Sequence, residues 1–470
     1  MSPNPAKARH IVIVGGGAGG AELAATLGRR FAGSMLDVTL VDCASRHLWK
    51  PRLHEVAAGL LGAGEGETSY LALARVNYFR FRLGALVDLD PKARTIVIDK
   101  VKDDAGEPLL GRRELTYDTL VLAFGSQVND FGIEGVAQHC HMLDSGDQAF
   151  AFQRKLLEQS VRVSDGALDR LRIAIVGAGA TGVELAAELH HAVEAIDRFA
   201  GLISLDQLDV TLVDMAPRVL ANSAAATSAF AQRTLERMNV RILLNTGVER
   251  VTADGLMLKS GQFVPCGLKV WASGVIGRPL AAALKGMTVD RGRRLVCDDK
   301  LRCQGVEDVY AFGDCAFVLG PATQRGLPAT AQVAHQQAVY LAKVLADPTA
   351  PTPAFAYRPM GSLVSLGTAP GAAELPTPGK QSLAYHGLTL KLLYLGLQFM
   401  HRAALIGWAR AMVLAMADWL RRTTARPSNS TEPSRHPLRG DFSCLLKPVT
   451  HSPRSSNSIW PTGLRTASST

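Results

Sequence analysis

Ten residues near the start of the chain, IVIVGGGAGG at 11–20, constrain its fold more than any other stretch. Four branched apolar residues predict a buried strand, and a helix-forming run follows the glycines. Gly15, Gly17 and Gly20 fit G-x-G-x-x-G, a pattern that permits a tight turn, lets a pyrophosphate approach the backbone and lets helix and strand pack closely. The next predicted strand ends in Asp42, where a carboxylate can bind a ribose hydroxyl. The sequence therefore predicts an α/β dinucleotide-binding module.

The same signature occurs again in the middle of the chain. A predicted strand at 171–176 leads into Gly177, Gly179 and Gly182, and a later strand ends in Asp214. The interval between turn and carboxylate is longer than usual, which we attribute to an extended helix and loop over 190–208. Two such modules favour two dinucleotides bound by one polypeptide. The alternative is an internal duplication in which one copy no longer binds.

Segments around the first module add side chains that suit a binding site. A loop followed by a helix at 46–56 contains Lys50 and either lines a site or lies on the surface behind a Pro-started helix. Residues 80–99 alternate apolar and polar, which predicts a hairpin. The apolar strand at 117–126 ends in Gly125 and suits a return to the first sheet.

A strand and turn at 309–316 place Asp314 where a helix begins. The Ala-rich helix that follows carries Gln332 and Gln336 one turn apart on the same face. These amides could hydrogen-bond a ligand carbonyl, or they could be ordinary polar residues of a helix surface.

Charge and cysteine content narrow the class of protein. The net charge of +9 suggests an acidic partner surface, but no basic run interleaved with aromatics indicates nucleic acid. The seven cysteines are scattered without C-x-x-C spacing, which indicates a reducing compartment and no disulfide framework. The first strand begins near residue 10, so we expect no signal peptide. No uninterrupted apolar run is long enough to predict a membrane span.

The C-terminal part contains two predicted helices that mix charges with large apolar residues. In 409–422 the arginines and Asp418 share one side, and Met412, Met416 and Trp419 are on the other. This mixture is typical of an interfacial anchor on anionic lipid. The alternative is a dimerisation or domain-packing helix pair. Residues 425–470 are rich in Ser, Pro, Thr and Arg, and this composition predicts disorder.

The order of these motifs resembles that of flavoprotein oxidoreductases with two dinucleotide-binding domains. More narrowly, HLWKP with HEVAAG at 47–59, AQVA at 331–334 and GSLVSLG at 361–367 resemble the type II NADH dehydrogenases. These are single-chain, non-pumping NADH:quinone oxidoreductases. The resemblance covers about residues 9–424 and implies an α/β fold with two Rossmann-like domains, one for FAD and one for NAD, and a C-terminal amphipathic membrane-anchoring segment.

The resemblance also implies roles for individual residues. FAD would bind in the first module, with its pyrophosphate over the glycine turn and its adenosine ribose on Asp42. The residues assigned to FAD are Gly15, Gly17, Gly20, Asp42, Lys50, Gly125, Asp314 and Ala331. NADH would bind in the second module, and the residues assigned to it are Gly177, Gly179, Gly182, Asp214 and Gly274. A carboxylate at Asp214 favours NADH over NADPH, although Arg218 close by in sequence blurs that preference.

Three residues are assigned to the reaction itself. Glu184 of the second module would lie near the flavin–nicotinamide contact, with helix capping as its alternative role. Gln332 and Gln336 would lie near a membrane quinone, and His335 or Glu55 could supply protons. A departure from the family pattern is Phe124, which stands where a small residue or threonine is usual.

The resulting domain prediction has five parts. They are an FAD-binding part at 9–145, an NADH-binding domain at 165–285, a second FAD-binding part at 286–345, a membrane-anchoring and quinone-proximal segment at 346–424, and a disordered tail at 425–470. We expect a peripheral enzyme on the cytoplasmic face of a bacterial membrane, with a homodimer as one possibility.

Two other functions fit the same scaffold. A sulfide:quinone oxidoreductase or disulfide reductase needs a pair of cysteines near the flavin. Cys315 beside Asp314 is single, and Cys297 and Cys303 show no recognised redox pairing in the sequence. A signalling protein like apoptosis-inducing factor would bind flavin and NADH with little quinone turnover.

Overall fold

The computed structural model describes residues 8–31, 36–61, 66–103, 105–320, 326–347, 349–367, 369–377, 380–387 and 389–424. The predicted tail at 425–470 therefore lies outside the described residues. The chain forms one compact unit over Met1–Met416. A second unit begins at Ala417 and contributes the end of the last helix to the described residues.

The first third of the chain holds most of one nucleotide-binding module. Its elements are β1 (Arg9–Val14), α1 (Ala18–Phe31), β2 (Leu36–Asp42), β3 (Arg46–Leu48), α2 (Leu53–Ala57), β4 (Glu67–Ser69), α3 (Tyr70–Asn77), β5 (Arg80–Leu83), β6 (Leu86–Asp90), β7 (Thr95–Ile98), β8 (Val101–Lys102), β9 (Pro108–Leu110), β10 (Arg113–Thr116), β11 (Thr119–Leu122), β12 (Ser126–Val128), α4 (Val136–His139) and β13 (His141–Met142).

The middle of the chain holds the second module. Its elements are α5 (Gly146–Ser164), β14 (Leu171–Val176), α6 (Ala180–Ala200), β15 (Leu208–Val213), α7 (Ala225–Arg237), β16 (Arg241–Leu243), β17 (Val248–Val251), β18 (Gly255–Leu258), β19 (Phe263–Pro265), β20 (Leu268–Trp271), β21 (Val275–Gly277) and α8 (Pro279–Ala283).

The last part returns to the first module and ends in helices. Its elements are β22 (Leu295–Val296), β23 (Val309–Ala311), β24 (Ala316–Phe317), α9 (Ala331–Ala346), β25 (Ser362–Leu366), β26 (Ala369–Thr377), β27 (Lys380–Gly387), α10 (Thr389–Ile406) and α11 (Trp408–Thr424). Short 3-10 turns occur at Lys50–Arg52, Leu205–Gln207 and Gly313–Cys315.

Two parallel sheets form the centres of the two modules. The first has the strand order β23-β11-β1-β2-β5, so the chain leaves this sheet after β11 and returns to its edge with β23. The second has the order β13-β20-β14-β15-β16. The central strands β1 and β14 are buried over their last four residues, 11–14 and 173–176, which belong to the apolar cores of the two modules. The predicted fold class, two Rossmann-like modules followed by C-terminal helices, is confirmed.

The edges of the modules differ in detail from the expected ranges. Strand β13 pairs with β20 in the second sheet, although its residues fall within the 9–145 range. The predicted hairpin at 80–99 is present over 86–98 as β6 and β7, which pair in antiparallel fashion. Residues 80–83 instead form β5, which pairs in parallel with β2 at the edge of the first sheet.

Both glycine turns are as tight as the motif requires. Gly15 has a φ of +106°, and a Cβ on Gly20 would lie 1.9 Å from the Gly15 carbonyl oxygen. In the second turn, a Cβ on Gly182 would lie 1.9 Å from the Gly177 carbonyl oxygen. The third glycine of each motif therefore lets the helix begin directly against the turn.

The helices between residues 8 and 424 differ in length and in apolar content. Among the parts of them that the structure describes, none combines the length and the apolarity needed to cross a membrane.

The close approach at Gly182 gives a test of the fold. We expect Gly182→Ala to lower the free energy of unfolding by about 3 kcal/mol, because the added methyl group meets a backbone oxygen that cannot move aside. Gly111→Ala is the matched control, since a Cβ at Gly111 meets no atom within 4 Å. Urea denaturation measures both, and equal stability of the two variants would contradict the packing described here.

Candidate functional site

The first glycine turn forms a cradle at the carboxyl ends of β1 and β2. A Cβ on Gly17 would meet no atom within 4 Å, so the space in front of this residue is open. Helix α1 begins at Ala18 and directs its free N–H groups to the same end of the sheet. Asp42 accepts hydrogen bonds from the backbone N–H groups of Gly16 (2.6 Å) and Ala44 (2.7 Å). An open glycine, a helix N-terminus and a carboxylate are therefore brought together, as a dinucleotide requires.

The second turn repeats this geometry. A Cβ on Gly179 would likewise meet no atom within 4 Å, and α6 begins at the next residue. Asp214 accepts from the backbone N–H groups of Ala178 (2.5 Å) and Ala216 (2.7 Å). Both copies thus keep the backbone and the carboxylate that binding needs, which weighs against an inactive duplicate.

A two-stranded ribbon connects the two cradles. Gly125 and Gly274 both have positive φ angles, +71° and +69°, and directly precede β12 and β21. These strands pair in antiparallel fashion, with Val128 opposite Val275. Since β11 and β20 lead into this ribbon, it joins the carboxyl ends of the two parallel sheets.

Asp314 lies beside this ribbon. The Ser126 hydroxyl donates to Asp314 at 2.9 Å, and both residues line a cleft of about 420 Å³. Helix α9 begins at Ala331 and is capped by the Thr330 hydroxyl. The side-chain oxygen of Gln337 on this helix accepts from the Gly313 N–H at 2.8 Å and so holds the turn that contains Asp314.

Lys50 lies on the other side of β12. Its ammonium group is 3.1 Å from a carboxylate oxygen of Asp144, and the second oxygen of Asp144 accepts from the Val128 N–H. The lysine is thereby linked to the ribbon through Asp144.

Glu184 lies in a buried polar cluster between α6, α2 and β25. Its carboxyl accepts from the Ser365 N–H at 3.1 Å and lies 3.5 Å from Nδ1 of His54. Burial raises the pKa of Glu184 to about 8, and the nearby carboxylates of Glu188 and Glu55 add to the rise. Burial also lowers the pKa of His54 to about 4. At neutral pH the contact is therefore between a protonated carboxyl and a neutral imidazole, not an ion pair.

Helix α10 contributes to the same cluster. The Tyr394 hydroxyl donates to Glu55 at 2.7 Å, and the other Glu55 oxygen accepts from Arg52 at 2.7 Å. Burial and the Glu55 carboxylate raise the pKa of Tyr394, so this hydroxyl keeps its proton. Helix α10 thus borders the polar cluster through Tyr394.

The two glutamines of α9 share one face, as predicted, but their side chains are already hydrogen-bonded to the segment at 357–361. The Gln332 side-chain oxygen accepts from the Tyr357 hydroxyl (2.5 Å) and the Met360 N–H (3.1 Å). Gln336 donates to the Arg358 carbonyl and accepts from the Arg358 N–H. Both amides hold the extended segment at 357–361.

His335, between these glutamines, contacts the first module instead. Its Nδ1 lies 2.7 Å from a carboxylate oxygen of Glu22 on α1, and this bond raises the pKa of His335.

A pair of histidines near the first cradle has no counterpart in the sequence prediction. The buried His47 lies 2.8 Å from the carbonyl oxygen of Gly16 through Nδ1 and 2.9 Å from Nε2 of His401 through its own Nε2. His401 belongs to α10 and stacks on Trp49. The sequence predicts that the segment containing His47 could line a site. It does not predict the contact of His47 with His401, because the two residues are 354 positions apart.

Comparison with known proteins identifies the family. Residues 9–338 match the pyridine nucleotide-disulphide oxidoreductase family. The chain is 36% identical over 435 residues to the type II NADH:quinone oxidoreductase of Haemophilus influenzae, covering 88% of this chain and 98% of that protein. The chain belongs to the type II NADH:quinone oxidoreductases. This confirms the family to which the sequence motifs were similar.

Other members and a solved structure agree with this assignment. The type II NADH:quinone oxidoreductase NdhA of Mycobacterium tuberculosis is 31% identical over 443 residues, covering 89% of this chain and 88% of its own. The structure of NDH2 from Plasmodium falciparum in complex with NADH has a TM-score of 0.73 at 20% identity, covering 86% of this chain and 98% of that chain. At that identity the structural likeness concerns the fold.

The cysteines give no support to the alternative of a disulfide reductase. Cys315 is buried and its thiol donates to the carbonyls of Phe312 and Leu122. The cleft beside Asp314 has no cysteine among the described residues that line it. Among the described residues, Cys315 therefore has no second cysteine beside it in this cleft.

The buried carboxyl of Glu184 predicts a pH dependence of stability. Its pKa rises from 4.5 in the unfolded chain to about 8 on folding. Between these values the folded protein holds a proton that the unfolded chain releases, so stability falls as pH rises, by up to roughly 1.4 kcal/mol per pH unit. Glu184→Gln should remove this slope.

The measurement is urea denaturation of both proteins from pH 5 to pH 9. Glu194→Gln is the control, because Glu194 lies on the same helix with a half-exposed side chain. It should keep the wild-type profile. A Glu184→Gln profile that parallels the wild type across the whole range would refute the raised pKa.

Proposed function

We propose that this chain oxidises NADH with a membrane quinone, using bound FAD and pumping no protons. The observation that carries this proposal is the ribbon β12–β21, which joins two intact nucleotide cradles within one chain. The identity to NADH:quinone oxidoreductases over most of their length supports the choice of substrates.

FAD binds over the first cradle in this proposal. Gly15, Gly17 and Gly20 make room for the pyrophosphate, and Asp42 is placed for the adenosine ribose. Asp314 lines the cleft where the rest of the cofactor fits, and so does Ala329, two residues before α9 begins at Ala331. We assign Ala331 to the cofactor as well, with Gly125 at the ribbon and Lys50 held by Asp144. When bound, the flavin would accept a hydride from NADH and would pass two electrons to the quinone.

NADH binds over the second cradle. Gly177 and Gly182 shape the turn, Gly179 leaves it open, and Gly274 lies at the ribbon. Asp214 is held at the ribose position by two backbone N–H groups, where its negative charge would repel a 2′-phosphate. Arg218 donates to the carbonyl of Ala221 within its own loop. The arrangement favours NADH over NADPH.

Glu184 serves this reaction as a proton-holding group. Quinone reduction consumes protons, and a carboxyl that keeps its proton at neutral pH can donate one. The neighbours of Glu184 include neutral His54 and the Tyr394–Glu55 pair, so the cluster offers more than one proton position. The Glu184 and Glu55 side chains remain 12% and 14% accessible, so protons can enter the cluster from solvent.

Gln332 and Gln336 are the residues that we propose to position the quinone. Their amides are bonded to segment 357–361, so a quinone carbonyl would either replace one of those bonds or rest against the segment they hold. In either case the two side chains determine the shape of this surface.

The C-terminal helices are proposed as the contact with anionic lipid. Large apolar side chains on them are solvent-exposed within the described residues, among them Leu392, Leu393, Met400, Trp408, Met412, Val413, Met416 and Trp419. Arg410 is exposed on the same segment. We propose peripheral attachment to the cytoplasmic face of a bacterial membrane, and a homodimer is the alternative way of covering this surface.

The reaction is tested by absorbance spectra of the purified protein. We expect a yellow flavin spectrum that NADH bleaches and a short-chain quinone restores, with steady-state turnover. Bleaching by sulfide in place of NADH would indicate the sulfide oxidoreductase alternative. Bleaching by NADH without recovery on quinone addition would indicate a signalling flavoprotein.

Replacement of one glutamine separates the two half-reactions. Gln332→Leu should slow reoxidation by quinone about tenfold or more, since loss of a positioning hydrogen bond costs about 1.5 kcal/mol. Flavin reduction by NADH should stay unchanged in stopped-flow traces. Gln232→Leu on α7 is the control, because Gln232 is a partly exposed residue that bonds to Glu236 on its own helix. Equal slowing of both half-reactions would refute the assignment.

Membrane attachment is tested on α11 because α10 also packs into the interior. The double variant Met412→Glu and Met416→Glu should co-sediment less with vesicles of anionic phospholipid, because two exposed apolar side chains, 61% and 59% accessible, become charged. Phe199→Glu is the control, since Phe199 is an exposed apolar residue at the end of α6. Unchanged sedimentation of the double variant, together with a change in oligomeric mass, would favour the homodimer.

A further inference from the structure

Two cysteines that are six positions apart in sequence face each other across a tight hairpin. The backbones of Cys297 and Cys303 pair opposite each other in an isolated antiparallel β-bridge. The flanking bonds run from the Asp298 N–H to the Arg302 carbonyl (2.9 Å) and from the Gln304 N–H to the Val296 carbonyl (2.9 Å). Cys297 and Cys303 therefore occupy a non-hydrogen-bonded pair, in which opposite side chains lie on the same face and closest together.

This position has the geometry that a disulfide needs. Cα atoms of a non-hydrogen-bonded pair are about 4.5 Å apart, and disulfides bridge Cα separations of about 4.4–6.8 Å. The two side chains are close enough for Cys303 to raise the pKa of the Cys297 thiol. The backbone pairing therefore places both cysteines within the range that a disulfide spans.

The surroundings keep the pair reduced at rest but place it near the surface. Both side chains are buried, and the Cys297 thiol also donates to the Ala311 carbonyl of β23 at 3.7 Å. The hairpin residues Asp299, Arg302 and Gln304 are exposed. Because both cysteines are buried while their neighbours are exposed, an oxidant would reach the sulfur atoms through local displacement of this hairpin.

We propose that Cys297 and Cys303 are a modification site at which a hydroperoxide forms a reversible intramolecular disulfide. One thiol, as its thiolate, attacks a peroxide oxygen, the O–O bond breaks, and the sulfur becomes a sulfenic acid while the peroxide's other oxygen leaves as water or an alcohol. The second thiol then attacks that sulfur, and the S–O bond breaks with release of water. Two thiols are oxidised by two electrons and one peroxide is reduced.

The experiment treats the full-length, flavin-loaded protein with hydrogen peroxide and then alkylates the remaining thiols under denaturing conditions. Trypsin cleaves after Lys300 and Arg302, so the two cysteines fall on separate peptides. We expect a linked pair of these peptides that dithiothreitol separates. Cys140→Ser, in the second module, should leave the link unchanged.

Single-cysteine variants test the sulfenic acid intermediate. Cys297→Ser and Cys303→Ser should each give no link, and the thiol that remains at position 303 or 297 should carry a dimedone adduct after peroxide treatment. If Cys297 and Cys303 remain fully alkylated in oxidised wild-type protein while other thiols are lost, or if either is linked to a different cysteine, the proposal is wrong. Peptide mapping of the oxidised wild-type protein tests the disulfide proposal even where a variant does not fold.

Discussion

The antiparallel pairing of β12 with β21 is the constraint on which the rest of the structure depends. Each strand leaves the carboxyl end of a parallel sheet through a glycine with positive φ, and only three residue pairs hold the ribbon together. In parallel α/β sheets, ligands bind at the carboxyl ends of strands. The ribbon joins the two sheets at those ends, and the proposed nucleotide sites depend on this arrangement.

A second constraint is the polar interior that α10 borders. This helix supplies Tyr394 to the carboxylate cluster and His401 to the histidine pair at the first glycine turn. Its last carbonyls, of Ala404 and Leu405, accept from Arg29 on α1. The C-terminal segment therefore has two faces with different tasks. One face contacts titratable groups, and the other exposes apolar side chains.

Much of the fold follows from local sequence, but most of the site's polar contacts do not. The glycine turns could be predicted because each glycine answers a local steric demand, and the strands β1 and β14 because each contains a run of four apolar residues directly before its turn. The helix carrying Gln332 and Gln336 could be predicted too, but segment 357–361, which occupies those amides, has no periodic pattern. The His47–His401 pair and the facing of Cys297 and Cys303 depend on strand register and on contacts between distant parts of the chain. The raised pKa of Glu184 also depends on distant parts of the chain. Helix α2 lies about 130 residues before Glu184 in sequence, and Tyr394 of α10 lies 210 residues after it.

The most direct test of this account is a crystal structure of the flavin-loaded protein with NADH bound. The account predicts the NADH pyrophosphate over Gly179, with nicotinamide C4 about 3–3.5 Å from flavin N5, the separation that hydride transfer requires. A nucleotide bound away from the second glycine turn, or a nicotinamide on the opposite side of the ribbon from the flavin, would contradict it.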